Sequence, residues 1–278
     1  MRLALIFNRG RPDTTGGYFV RAAQALGIAC ESWELRDAEQ IPATADLYVR
    51  VDHGDDYLAT LPPRLRPAVF YAIDTHLAHS WKKIRASAPR YDLVCCAQRA
   101  AAIQLPNGMW LPLACDPSLS ESGAPSGPWD VAFVGTDGGN PRKFILQALR
   151  ERYPRSFIGA ASHAHLMPIY GQARIGFNYA IRNEVNMRLF EVLGAGSVLV
   201  TNMLAHDDLE QLGLQDGVHL VCYRWPSEIM ERVDALLADA PRCRRIAQAG
   251  QAVARQRHTY VHRLQQLLET VATRFGVT

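Results

Sequence analysis

The sequence predicts an α/β chain built as two doubly wound halves that face a cleft. Three observations predict it. Short β-branched runs alternate with helical patterns, a segment rich in Pro, Ser and Gly breaks the alternation near the middle, and the same alternation then restarts. A length of 278 residues suits two domains of roughly 130 residues each.

In the first half, Leu3–Phe7, Ala29–Leu35, Leu47–Val51, Pro67–Ile73, Asp92–Ala97 and Trp110–Ala114 read as strands. Tyr18–Leu26, entered through Thr14-Thr15-Gly16-Gly17, and Ser80–Ala86 read as helices between them. Residues 116–129, DPSLSESGAPSGPW, keep no periodicity and form the natural linker. Beyond it, Asp130–Val134, Arg174–Tyr179, Ser197–Thr201 and Val218–Cys222 are strands. Pro141–Glu151 is a helix with Pro in the first turn, where a missing N–H is tolerated. Asn186–Gly194, Asp207–Leu212, Ser227–Ala238, Pro241–Gln256 and Tyr260–Phe275 are helices, so the chain ends on three in succession. These patterns place a first domain over 1–116, a linker over 117–129, a second domain over 130–258 and a final helix over 259–278.

Composition narrows the function classes. Hydrophobic residues at 48% and charged residues at 21% are globular proportions, enough to bury two cores. A net charge of only +3, with no Lys/Arg stripe interleaved with aromatics, argues against a nucleic-acid partner. The mild basic excess suits anionic small molecules, phosphorylated sugars among them. The six cysteines form no CxxC pair, and Cys95-Cys96 sit in an apolar run. They read as small buried hydrophobes in a reducing compartment, with no structural zinc. The opening MRLALIFNRG is too short for a signal peptide's apolar region and lacks a cleavage site. No stretch reaches the ~20 apolar residues of a membrane span. A cytoplasmic protein without a transmembrane segment is expected.

Ligands of such sheets bind outside the carboxyl ends of the strands, where helix N-termini point N–H groups outward. Two such ends carry glycine: Arg9–Gly17, where Gly16-Gly17 open a helix, and Phe133-Val134-Gly135-Thr136, followed by Asp137-Gly138-Gly139. Neither fits GxGxxG, which removes a nicotinamide-dependent dehydrogenase. Each loop, taken alone, is equally well a plain turn. The most informative segment is Asn183–Asn202. There Val185, Leu189, Val192 and Leu193 form a core-facing stripe, while Glu184, Arg188 and Glu191 share another face. That charged face is either a solvated one with i,i+4 pairing or the grip of a nucleotide-sugar site. In the second case arginine neutralises diphosphate with planar donors, and a carboxylate accepts from ribose hydroxyls.

The residues Asn186-x-Arg188-x-Phe190-Glu191, then Gly194-x-Gly196 and Val200-Thr201-Asn202, resemble the group 1 C-terminal domain of the CgeB-like (spore maturation protein-like) glycosyltransferase family. Val131–Gly135 with Arg142 downstream, the turn Ala247-Gln248-Ala249-Gly250, and His258-Thr259-Tyr260-x-x-Arg263 match it in order. Tyr71-Ala72-Ile73-Asp74-Thr75-His76 and Tyr91-Asp92-Leu93-Val94 with Ala97-Gln98 resemble its first domain. The resemblance implies a GT-B architecture of two Rossmann-like domains. The donor would be held mainly by the second and the acceptor mainly by the first, with the last helix crossing back to the first domain through a turn holding His258 and Arg263. It implies no metal and no cofactor beyond the donor substrate. Of the paired glutamates carried by related enzymes, Glu191 matches the later, ribose-holding one. Asn183 stands where the earlier is expected, with Glu184 beside it.

The resulting expectation is transfer of a sugar, with retention, from a nucleotide-diphosphate sugar to a hydroxyl acceptor (glycan, protein or small molecule). Arg188, Arg142, Gly135, Thr136, Asn186, Gly16 and Gly17 would bind the donor with Glu191. Asp74 and His76, just past a strand end, would position the acceptor hydroxyl or steady charge alongside Arg188, unless Asp74 or Thr75 merely caps the next helix. His53 shares the strand-end position of Asp74 and His76. Asp55-Asp56 and Asp207-Asp208 read as ordinary loop or helix-start acids, and His163, His165, His206, His219 and His262 as structural or surface histidines. The rival is a catalytically silent sugar-nucleotide-binding or scaffold protein on the same fold. A periplasmic two-lobed binding protein is set aside for want of an export signal.

Overall fold

Runs of β-branched and aromatic residues buried on both faces pair as parallel strands, and a computed structural model of the chain contains two such sheets. It describes residues 1–11, 14–52, 58–119, 128–205 and 207–277; His53, Asp55, Asp56, His206 and most of the expected linker lie outside them. The chain divides into two compact units, Met1–Leu113 with Tyr260–Thr278, and Ala114–Thr259.

The first unit runs β1 (Arg2–Ile6), α1 (Thr15–Ala25), β2 (Ala29–Trp33), β3 (Leu47–Val51), β4 (Ala68–Ala72), α2 (Ala78–Ser87), β5 (Leu93–Cys96), α3 (Arg99–Ala102) and β6 (Gly108–Trp110). The strand order is β2-β1-β3-β4-β5-β6, and every pair is parallel. The order changes direction between β1 and β3, the switch point where such sheets open a crevice. Ile6, Tyr48, Phe70 and Val94 on one face pack beneath Ile84 of α2, Ala88 just beyond it, and Ala101 and Ala102 of α3. The chain's last helix, Tyr260–Phe275, lies along α1 in this unit. Its Tyr260 ring stacks on Tyr18 at 4.7 Å and meets Phe19 edge-on at 5.5 Å. The final strand ends earlier than the expected Trp110–Ala114. Pro112 has no N–H for a ladder, and the carbonyls of Pro112 and Leu113 accept from Arg263 instead.

The second unit runs β7 (Trp129–Val134), α4 (Arg142–Arg152), β8 (Ser156–Gly159), α5 (His163–Gly171), β9 (Ala173–Phe177), α6 (Met187–Ala195), β10 (Val198–Asn202), α7 (Asp208–Gln211), β11 (Val221–Tyr223), α8 (Ile229–Ala238) and α9 (Ala240–Arg257). The last helix of the chain is then α10. Strand order is β11-β10-β9-β7-β8, again all parallel, with the switch point between β7 and β9. Phe133, Ile175, Phe177 and Val200 pack beneath Leu149, Val233 and Ile246. Trp129, counted in the linker from sequence, opens β7. β8 has no counterpart among the expected strands: it is a four-residue, half-buried edge strand with no alternation to read. α5 carries Pro168 inside it, which breaks the helical signal.

Two motif readings change. Ala247–Gly250 is no turn but the middle of α9. Gly250 is there for close packing, since a Cβ would lie 2.3 Å from the His219 carbonyl oxygen and 2.7 Å from Leu193 Cδ2. Arg263 stands in α10 rather than in a turn, while buried His258 donates through Nε2 to the Leu212 carbonyl at 2.8 Å. Among the described residues no helix is long and apolar enough to cross a membrane. Replacing Gly250 with Ala is expected to cost about 1–3 kcal/mol of stability through overpacking. A urea midpoint unchanged by that substitution would contradict the packing role.

Candidate functional site

Helix α6 begins where it does because Asn186 caps it: extended at φ −99°, it accepts the Leu189 N–H on Oδ1 at 3.2 Å. It ends at Gly196, whose φ of 90° is the left-handed stop that glycine provides. Between these ends, every residue from Leu189 to Ala195 is buried, so the helix is wedged into the unit rather than laid on its surface. Arg188, in the first turn, therefore projects onto the carboxyl edge of the sheet.

There Arg188 spans the switch point. Its Nε and Nη2 donate to the Val134 carbonyl at the end of β7, at 3.2 and 3.0 Å. Its Nη1 donates at 3.1 Å to Oδ1 of Asn178, which directly follows β9. The guanidinium lies 4.4 Å from the centroid of the Phe133 ring, and Arg142, from the start of α4, lies 5.7 Å from the same centroid. Arg142 is only 9% exposed and donates through Nε to the Asp137 carbonyl at 2.9 Å. Among the described residues neither arginine forms an ion pair within 4.0 Å. Burial, and then the neighbouring Arg188 charge, hold Arg142 below its ordinary pKa, against the opposing pull of Glu184 and Asp137. Two cations with neutral hydrogen-bond acceptors leave an excess of positive charge at the strand ends. That arrangement has the charge and the donors to hold an anion.

Gly135 serves this pair differently from the sequence expectation. Its N–H is committed to the Gly159 carbonyl at 2.9 Å, so it is no free phosphate donor. Instead, with φ 144°, it clears space for Arg188: a Cβ there would lie 2.6 Å from Nη2. Thr136 is exposed at the start of the following loop. A cavity of about 160 Å³ adjoins Gly135, lined by Lys143, Gln147, Arg150, Ile158 and Gly159.

Glu191 follows Arg188 by one turn and is 9% exposed. Burial pushes its carboxyl up to about 7, and the Arg188 charge opposes that rise. The expected stripe of Glu184, Arg188 and Glu191 shrinks to the last two, because α6 starts only at Met187. Glu184 precedes it, buried, and accepts the Arg182 N–H at 2.8 Å. Asn183 is explained by its backbone. At φ 55° it adopts the left-handed conformation that Asn tolerates, and its Oδ1 accepts from Asn202 Nδ2 at 2.7 Å. Asn186, besides capping, donates through Nδ2 to Asn178 Oδ1 at 3.1 Å.

Two residues of this constellation escaped the sequence reading. Asn178 is fully buried and accepts from both Asn186 and Arg188, while its Nδ2 donates to Thr201 Oγ1 at 3.0 Å. The signal was an amide at the end of an otherwise apolar strand. Tyr170 of α5 accepts the Val134 N–H on its hydroxyl at 3.0 Å, and nothing in the sequence marked it.

Gly16, Gly17, Asp74 and His76 belong to the first unit, and the Arg188 cluster belongs to the second. Gly16 lies in the first turn of α1 against Phe7, whose ring a Cβ would overlap, and the Gly17 N–H is used by the Thr14 carbonyl at 2.9 Å. Asp74 and His76 sit in the loop after β4. Buried Asp52, also missed from sequence, accepts the N–H groups of Ile73 and Asp74 at 2.9 and 3.2 Å and shapes that loop. Neither Asp74 nor Thr75 caps α2: the cap position is Leu77, with no side-chain bond. The buried Thr75 Oγ1 and His76 Nδ1 have no protein hydrogen-bond partner among the described residues. No group of three or more His, Cys, Asp or Glu able to hold a metal occurs among the described residues.

A family model described as "Glycosyl transferase-like" matches residues 129–269, about half of the chain. No curated protein matches the sequence. Among solved structures, Anabaena Alr3699/HepE in complex with UDP and glucose is similar at a TM-score of 0.73 and 14% identity, covering 98% of this chain and 100% of that one. An alpha-glucosyltransferase in complex with UDP-glucose and DNA containing an abasic site gives 0.69 at 9% identity, over 98% and 99%. T4 phage BGT in complex with its UDP-glucose substrate gives 0.59 at 12% identity, over 100% and 99%. The fold is thus the GT-B type of two parallel-sheet α/β halves.

The Glu191 carboxyl supplies a test. An acid raised from 4.5 to about 7 in the folded state binds its proton more tightly there than when unfolded. Stability is therefore undiminished below about pH 4.5 and falls as pH rises through about 7, by up to about 3 kcal/mol. Replacing Glu191 with Gln should raise Tm at pH 8 and change it little at pH 4.5. An equal shift at both pH values would contradict the burial of this charge.

Proposed function

The chain belongs to the glycosyl transferase-like family, and from that premise we propose that it transfers a sugar from a nucleotide-diphosphate sugar to a hydroxyl acceptor. One observation carries this reading: Arg188 and Arg142 share the Phe133 ring at the β7/β9 switch point, and neither is neutralised by an ion pair among the described residues. A diphosphate is the anion whose charge and planar oxygen edges suit two guanidinium groups.

In this reading the sugar–phosphate bond breaks with negative charge gathering on the departing nucleoside diphosphate. Arg188 is held before the reaction by three hydrogen bonds, so it stabilises that charge without reorganising. Arg142 adds a second cation. Glu191, one turn along α6, accepts from the ribose hydroxyls when ionised. Asn186 and Asn178 hold the Arg188 turn in place, and Thr136 offers a hydroxyl at the rim. The acceptor hydroxyl is assigned to the loop of Asp74 and His76. There Asp74 takes up the proton or steadies charge, and the unpartnered His76 Nδ1 and Thr75 Oγ1 offer hydrogen bonds. Gly16 and Gly17 contribute through the shape of the α1 turn.

We further assign the chain to the CgeB-like members on its Asn186-x-Arg188-x-Phe190-Glu191 and His258-Thr259-Tyr260 signatures. On the same likeness we assign retention of configuration, no metal, no cofactor beyond the donor, a non-nucleic-acid acceptor and a cytoplasmic setting. UDP-glucose is the first donor to try, because similar structures contain it. A silent sugar-nucleotide binder is the second reading. It is favoured by Asn183, which puts an amide committed to Asn202 where related enzymes carry a glutamate.

Arg188→Ala is expected to lower turnover of UDP-glucose by a hundredfold or more, the scale of one lost electrostatic stabiliser. Turnover close to the parent's would refute the assignment, and tight UDP binding with no turnover by the parent protein would favour the silent binder. Turnover in EDTA should equal that in buffer; loss in EDTA with recovery on adding Mn²⁺ would overturn the metal-independent assignment.

A further inference from the structure

Two features tie Tyr170 to Arg188. Its side chain is fully buried, and α5, which carries it, packs against α6, β7 and β9. Its hydroxyl accepts the Val134 N–H at 3.0 Å, while the carbonyl of the same residue accepts both the Nε and Nη2 of Arg188. One strand-end residue is thus clamped by the phenol from one side and by the guanidinium from the other. At its main chain, the Tyr170 carbonyl accepts from Ser197 Oγ, which also donates to the Ala173 carbonyl at 2.8 Å, a pair of bonds that leaves Val134 untouched.

We infer that Tyr170 is a positioning residue for Arg188: by holding the amide of Val134, its hydroxyl fixes the carbonyl that aims the guanidinium. This rests on the reading of Arg188 as the diphosphate group and extends it to a residue that acts through Arg188. An ordinary buried tyrosine that fills space would also finish its hydrogen bonds somewhere. This one accepts the N–H of the residue that orients the cation, with the Arg188 and Glu191 charges both acting on the phenol. Burial, the largest influence, holds the phenol above its ordinary pKa, so it stays protonated across the working range.

The test is a double-mutant cycle on UDP-glucose turnover with UDP affinity read alongside. Tyr170→Phe keeps the ring and removes the hydroxyl. It should lower kcat roughly tenfold and weaken UDP binding a few-fold, and it should cause no further loss once Arg188 is already Ala. Ser197→Ala, which removes the other anchor of the same tyrosine without touching Val134, is the control. It should lower Tm and leave kcat within about twofold. Should Tyr170→Phe melt below the assay temperature, 3-fluorotyrosine at position 170 weakens the acceptor while keeping the fold, and kcat should fall by an intermediate amount. Parent-like kcat in Tyr170→Phe or in the fluorotyrosine protein overturns the inference, as do losses that multiply in the double mutant. If Arg188→Ala loses turnover while Tyr170→Phe does not, this inference alone falls. If Arg188→Ala keeps its turnover, the phosphate reading falls with it.

Discussion

One side chain joins the two strands that part at the switch point of the second unit. Arg188 bonds the last carbonyl of β7 and the first side chain after β9, and much of the local sequence is arranged around that bridge. Gly135 leaves room for it, Phe133 lies under it, Asn178 receives it, and Asn186 starts the helix that carries it. Parallel sheets place unsatisfied carbonyls at their carboxyl edge, and a planar donor can satisfy two strands at once.

The choice of partners matters more than their number. Carboxylates at the same positions would have held the guanidinium equally firmly and cancelled its charge. Carbonyl and amide oxygens hold it and leave the charge available. Arg142 repeats the pattern on a backbone carbonyl. Burial first, and then the Arg188 charge, lower the pKa of Arg142. Glu191 sits far enough into the core to be reluctant to ionise, so it moderates the positive site without quenching it.

Much of this could be read in the sequence, and the exceptions have physical reasons. The sheets were legible because buried parallel strands are short apolar runs between turns; β8 was not, because a half-buried edge strand need not be apolar. The Arg188 and Glu191 pair was legible from helical spacing. Glu184 was wrongly grouped with them because its spacing was counted through residues ahead of the helix, which Asn186 caps. Gly135 was seen as a place where backbone would be open. Its true use, room for a side chain 53 residues later, is a tertiary fact. Tyr170, Asn178 and Asp52 serve through what they touch after folding, and residue type alone carries little of that. Asn183 departs from the expected acid at a position whose left-handed backbone suits an amide.

The central claim is that the two arginines at the β7/β9 strand ends are the seat of a diphosphate. A crystal structure of the chain with UDP bound tests it most directly. Phosphate oxygens are expected within about 3 Å of both the Arg188 and Arg142 guanidinium groups, with the Arg188 bond to Val134 kept. UDP seated elsewhere, with both arginines facing only protein and solvent, would contradict it.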